Sequence, residues 1–241
     1  MRKITLSFSL LATLFILSAQ IPRQEQPPNT LTSKEKKEGW QLLFDGKTTK
    51  GWHNYGKKSI SPLWKVEDGT LLMSQKGAED IATDKEYENF EFQLEWKIAE
   101  GGNSGIYYLV KEDPQKYVKG WNTGPEMQIL DDDKHPDATK GKDGNHKAGS
   151  LYDLIPATNK QLSPVGQWNH VRIIVNKGKV EHWLNGSKVV EYDLNSTEFA
   201  ELVKGSKFST LPDFAKFRKG RIVLQDHGDL VWFRNIKIRK L

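Results

Sequence analysis

Cysteine is absent from the 241 residues. That excludes disulfide staples, a thiolate nucleophile, a cysteine-ligated zinc and a cysteine-linked lipid anchor, so any metal must be held by oxygen or imidazole. A charge excess of one sign is lacking too: 36 basic against 31 acidic residues leave +5, and the two signs alternate along the chain. So mild and dispersed a charge makes no nucleic-acid surface, and no aromatic-basic signature of an RNA-binding sheet occurs. Helix signals are sparse, confined to a stretch near 197–203 with Ser196 or Thr197 as N-cap. No Gly-x-Ser-x-Gly elbow surrounds a serine.

Aromatic residues are plentiful. Eight Trp, seven Tyr and ten Phe are spread along the chain, each able to bury about 150–250 Å². They argue for one well-packed domain of ordinary size. Met1-Arg2-Lys3 and the apolar run 4–17, ending in small residues near Ala19, form a signal-peptide pattern over 1–19. The run is shorter than the roughly 20 residues a spanning helix needs. A periplasmic or secreted location is expected, with no integral membrane segment after processing. Residues 20–37 are polar, contain Pro22, Pro27 and Pro28, and read as a flexible linker. The folded domain is expected over 38–241.

Within it the text is β-like. FEFQLEWKI (90–98) places Phe90, Phe92, Leu94, Trp96 and Ile98 on one face and Glu91, Gln93, Glu95 and Lys97 on the other. Similar runs occur at 105–110, 126–130, 170–175, 180–184, 188–192, 221–227 and 230–238, separated by turn residues. Asn185-Gly186 and Asp68-Gly69 signal hairpins, because both pairs tolerate the positive φ of a type I′ turn. Many short strands and few helices predict an all-β sandwich or jelly roll.

Polar residues at period two mark where one sheet face gathers chemistry. Glu126 and Gln128 share a face of EMQIL, and Gln225 and His227 share a face of RIVLQDH. A carboxylate and an imidazole on neighbouring strands could act as base and acid; water-facing positions give the same pattern. The polar loop 131–149 holds Asp131, Asp132, Asp133 and His135, which could ligate a hard divalent ion such as calcium or form a solvated turn. His146 could be a ligand, a base or an ordinary loop residue. Tyr152 could donate to a carbonyl or sugar hydroxyl, or pack. Asn103, in GGNSGI, sits at a strand entrance, and Trp52, Trp121 and Trp168 could stack on sugar rings or fill the core.

Several motifs occur together and in order: GWQLLFDGKTTKGWH (39–53), FEFQLEWKIAEGGNSGIYY (90–108), GPEMQILDDD (124–133), GSLYDL (149–154), GQWNHVRI (166–173), WLNG (183–186) and LQDHGDLVWFRNIKI (224–238). From Glu38 to Leu241 the chain resembles the bacterial 3-keto-disaccharide hydrolase domain family. The resemblance implies a concanavalin A-like or laminin G-like jelly roll of two antiparallel sheets. It also implies a carbohydrate-active enzyme acting on glycosides already oxidised to a ketone at C3. A C3 ketone acidifies the C2 hydrogen, so a base can remove it and the C1 substituent can leave; water addition completes a net hydrolysis. Such chemistry needs a base, a donor or metal at the ketone, and no pair of glycosidase carboxylates.

Carried over by motif, Glu126 and His227 stand nearest the chemistry. Glu95, Asn103, Gln128, Tyr152 and Gln225 orient the sugar; His146 joins them, and Asp131 is the metal candidate, with less guidance from the motifs. The partner is a small carbohydrate. Two other readings compete: a lectin-like binding module on the same fold, and a laminarinase-type glycosidase, whose Glu-x-Asp-x-x-Glu run is not found.

Overall fold

The computed structural model describes residues 26–241, so the expected signal peptide lies outside the described residues. Strands β1 (Gln41–Leu42), β2 (Trp52–Asn54), β3 (Trp64–Glu67), β4 (Thr70–Met73), β5 (Ile81–Thr83), β6 (Phe90–Ile98) and β7 (Asn103–Val110) lead into β8 (Glu126–Leu130). After the long polar loop come β9 (Asn169–Asn176), β10 (Lys179–Leu184), β11 (Ser187–Asp193), β12 (Arg221–Leu224) and β13 (Val231–Lys240). They form two antiparallel sheets. The larger runs β11-β10-β9-β6-β13-β4-β3 with β1 alongside β13, and the smaller runs β2-β5-β12-β7-β8.

Alternation builds the sandwich. Phe90, Phe92, Leu94, Trp96 and Ile98 of β6 face Met127 and Ile129 of β8 within one buried core, each large apolar side chain contributing roughly 1.5–3 kcal/mol by leaving water. Both expected hairpins form: Asn185 and Gly186 have φ of 48° and 85° between β10 and β11, and Asp68 and Gly69 have 49° and 71° between β3 and β4. Helix α1 (Ser33–Lys37) lies near the N-terminus, and α2 (Thr197–Lys204) carries the expected Ser196 cap, whose side chain accepts from the Phe199 N–H. Phe199 stacks on Tyr192 of the large sheet, which fixes α2 and the 3₁₀ turn Lys207–Thr210 behind it. Among the described residues no helix is long and apolar enough to cross a membrane.

Two expectations need correction. The described part of the supposed linker, 26–37, is docked: Asn29 is buried, its N–H donates to Asn235 Oδ1 (2.6 Å), and the Asn235 N–H returns a bond to Asn29 Oδ1 (2.8 Å). A capping box of Thr32 and Glu35 then starts α1. The strand expected over 221–227 ends at Leu224, because Asp226 turns the chain by accepting from the N–H groups of Gly77, Glu79 and Gly228.

Candidate active site

The outer face of the small sheet is lined by the residues that alternate with Met127 and Ile129. On β8, Glu126 lies opposite Tyr107 of β7, Gln128 opposite Gly105 and Leu130 opposite Asn103. Beyond β8 the chain returns as a further rung: Gly149 N–H donates to the Gln128 carbonyl (2.8 Å), and Tyr152 N–H donates to that of Glu126 (3.0 Å). Tyr152 therefore stands beside Glu126. On the other flank the Gln225 N–H donates to the Gly105 carbonyl (3.0 Å). Trp121, Phe208 and Leu211 rise around these groups to enclose a cavity of about 500 Å³.

Glu126 is the electrostatic centre. Burial drives its carboxyl up to about 8, Lys207 works against that shift, and Asp80 and Asp137 add to it. Its oxygens lie over Gly105, where a Cβ would come within 2.8 Å of the Glu126 carboxyl carbon. Glycine is needed at that position to leave room for the acid.

Neutral amides surround the carboxyl. Asn103 Oδ1 and Gln225 Oε1 are buried without a hydrogen-bond donor, while Gln225 Nε2 donates to the Tyr107 hydroxyl. Two orphaned acceptors in a cavity suit a ligand rich in hydroxyl donors. Tyr152 donates its hydroxyl to Asp137 Oδ2 (3.0 Å), leaving its oxygen lone pairs for the cavity. Burial and that carboxylate push the phenol well above its ordinary range.

Asn103, Glu126, Gln128, Tyr152, Gln225 and His227 all line the cavity. Three expected residues do not. Glu95 points from the outer face of the large sheet, bonded to Arg234 Nε at 2.6 Å, because β6 presents its polar side away from the small sheet. His146 is buried beneath Tyr152, its ring 4.3 Å away, with Nε2 2.9 Å from Asp153 Oδ1; it holds the tyrosine and does not face the cavity. Asp131 is consumed by backbone donors, accepting from the N–H groups of Gly101 in the β6–β7 turn and of Asp133 and Lys134 in its own loop. Of the tryptophans, Trp52 is buried and Trp168 lies between Lys97 and Arg234.

The carboxylate and imidazoles that do converge are His135, His227 and Asp229, whose ligand atoms all lie within 4.8 Å of one another. Asp229 also accepts from the Asn103 backbone N–H (3.1 Å), which ties the group to the amide side of the cavity. Two imidazoles and one carboxylate suit a borderline transition ion better than calcium, which prefers oxygen throughout. His135 Nδ1 accepts from the Asp137 N–H (3.1 Å), so its proton rests on Nε2; an ion taken through Nε2 would shift that proton and release the cap.

Sequence reasoning missed Tyr107, Lys207, Phe208, Thr210, Leu211 and Asp229. Tyr107 had a usable signal, since it shares the period-two face of Asn103 and Gly105. The turn Lys207–Thr210 had none, because only the packing of α2 brings it over the small sheet.

The sequence pattern of the 3-keto-alpha-glucoside-1,2-lyase-like domain matches residues 39–239. A Bacteroides thetaiotaomicron protein named 3-keto-disaccharide hydrolase is 39% identical over 229 residues, covering 85% of this chain and 79% of that protein. A Parabacteroides distasonis crystal structure described provisionally as a glycosyl hydrolase superposes with a TM-score of 0.83 at 38% identity, covering 89% of this chain and 100% of the other. A second from the same organism, described likewise, gives 0.61 at 32% identity over 84% and 99%.

Proposed function

This chain belongs to the 3-keto-alpha-glucoside-1,2-lyase-like domain family, and on that premise we propose that it cleaves the glycosidic bond of 3-keto-glucosides by elimination, with Glu126 as the base. At the coarser level it is a carbohydrate-active glycoside hydrolase. The observation that carries the finer reading is one buried carboxyl, raised to about 8, among neutral amides. Once ionised, such a group is a stronger base than an ordinary carboxylate. It is also a lone carboxyl in the cavity lining, unlike the pair an ordinary glycosidase requires.

In this reading Asn103 and Gln225 accept hydroxyl hydrogens of the oxidised sugar and set C2 against Glu126. The carboxylate takes the C2 proton, and the electron pair of that C–H bond becomes the enolate of the C3 ketone. Collapse of the enolate forms the C1–C2 double bond and breaks the bond from C1 to the aglycone oxygen, which departs with the proton returned by Glu126. Addition of water across C1–C2 gives the hydrolysed sugar. His135, His227 and Asp229 would hold a divalent ion, which supplies Lewis-acid polarisation of the ketone oxygen when bound. The leader-like N-terminus fits a reaction outside the cytoplasm.

The test is release of a chromogenic aglycone from a 3-keto-glucoside and from the matching unoxidised glucoside. Release from the keto-sugar alone is expected. Release from both would replace this reading by conventional glycosidase chemistry, and saturable binding without release would replace it by a binding module.

A further inference from the structure

The cavity is not chemically uniform. Its amides gather around Asn103, Gln128 and Gln225, and the imidazole–carboxylate group lies on the Asn103 side. On the Tyr152 side the wall changes to Phe208 and Leu211, with Lys207 as the one lysine or arginine that lines it among the described residues. The Lys207 ammonium sits 4.0 Å above the Tyr152 ring centre and 5.2 Å from that of Phe208. Its backbone is fixed as well: the Lys207 N–H donates to Asp153 Oδ2 (3.2 Å), and Ser206 caps the following turn by accepting from the Phe208 N–H.

Lys207 is exposed to solvent and, like several other lysines, has no carboxylate counter-ion among the described residues. Lys116, Lys160 and Lys237 each pair with a carboxylate, whereas among the described residues no carboxylate reaches the Lys207 ammonium at ion-pair distance. Glu126 does not fill that role near neutrality, since burial favours its uncharged form. Two aromatic faces hold the cation in place without neutralising it. An oxyanion arriving there would gain a charge-assisted hydrogen bond beside a low-dielectric wall.

We propose that Lys207, with Tyr152 and Phe208, forms a leaving-group subsite selective for aglycones that carry a carboxylate on an apolar or aromatic body. The proposal rests on the 3-keto-glycoside reading for its orientation: the ketone end lies toward Asn103 and His227, so the departing group extends toward Lys207. Amides read the uncharged sugar, and the lysine reads charge on what leaves.

The experiment compares the 3-keto-glucosides of 4-hydroxybenzoate and of 4-hydroxybenzamide, which are nearly the same size and differ in charge. The full chain is expected to favour the carboxylate about tenfold in kcat/KM, carried mainly in KM and weakened by salt. In Lys207→Met the ratio should fall to near one, and in Lys207→Glu it should invert. An unchanged ratio in Lys207→Met would overturn the proposal. So would an equal loss for both substrates carried in kcat, since that would place the ammonium at the reacting centre. If neither keto-glucoside is cleaved, the catalytic reading fails on its own; calorimetric titration with the two unoxidised glucosides still reads the subsite, and equal affinity for both would overturn it.

Discussion

The carboxyl of Glu126 occupies the space that a side chain on Gly105 would fill. The two residues lie on adjacent strands two register positions apart, Gly105 being paired with Gln128 and Glu126 with Tyr107. Gly105 has no positive φ, so alanine fits its backbone and the conflict is purely with the acid. Gly105→Ala is therefore expected to displace the carboxyl and lower kcat for a 3-keto-glucoside by about 100-fold, the scale of a misplaced reacting group. Far-UV circular dichroism should stay unchanged. Wild-type turnover in this variant would show that the carboxyl position does not matter.

Glu126 also makes a prediction about pH. With the folded carboxyl at about 8, kcat/KM should rise with pH along a limb whose midpoint lies near that value. Glu126→Gln should lose about 10²–10⁴ in rate. Stability runs the opposite way. The folded pKa lies above the ordinary glutamate value of 4.5, so the folded state holds a proton that the unfolded state has released, and wild-type stability falls as pH climbs from about 4.5 to 8. Glutamine has no such slope. Melting curves should show Glu126→Gln gaining several degrees over the wild type at pH 8 and losing that advantage at pH 4.5. A constant difference across that range would contradict the raised carboxyl.

For the metal group, calorimetric titration of the chelator-treated chain with manganese, cobalt or zinc should give one ion per chain, and calcium should bind far more weakly. His135→Ala and Asp229→Ala should each lower that affinity by at least tenfold. Affinity unaffected by either substitution would place the ion elsewhere.

Glu95 gives a contrasting prediction. Its partner is Arg234, on the face of the sandwich away from the cavity. Glu95→Gln should leave kcat/KM within about twofold of wild type and cost on the order of 1 kcal/mol at most, as partly exposed ion pairs do. A large fall in kcat alone would bring the residue back to the site.

The fold was legible because alternation is a local signal: FEFQLEWKI reads as a strand without knowledge of what it packs against. Glu126 and Gln128 stood out for the same reason, whereas Gln225 and His227 were picked from an expected strand that in fact ends before them, at Leu224. Glu95 carried the same local signature, yet a strand's own pattern tells inside from outside and not which sheet the strand joins. Asp131 failed differently, since an aspartate whose oxygens are spent on backbone N–H groups, of Gly101 in the neighbouring turn and of Asp133 and Lys134 in its own loop, is written with the same letter as a metal ligand. His227 and Asp229 share the turn between β12 and β13 while His135 lies on the loop after β8, and their meeting is a product of tertiary closure. Lys207 depends on α2 docking through Phe199 against Tyr192, a contact no spacing announces.

The reciprocal bonds between Asn29 and Asn235 have a practical meaning for how the molecule is handled. They anchor the incoming chain against β13, in the large sheet, while the cavity opens from the small one. A tag, a resin linkage or a fused partner placed ahead of Asn29 would therefore attach at the rear of the catalytic face. Immobilised through that end, the enzyme would present its mouth to the solution, and bulky glycosides could approach it unhindered by the support.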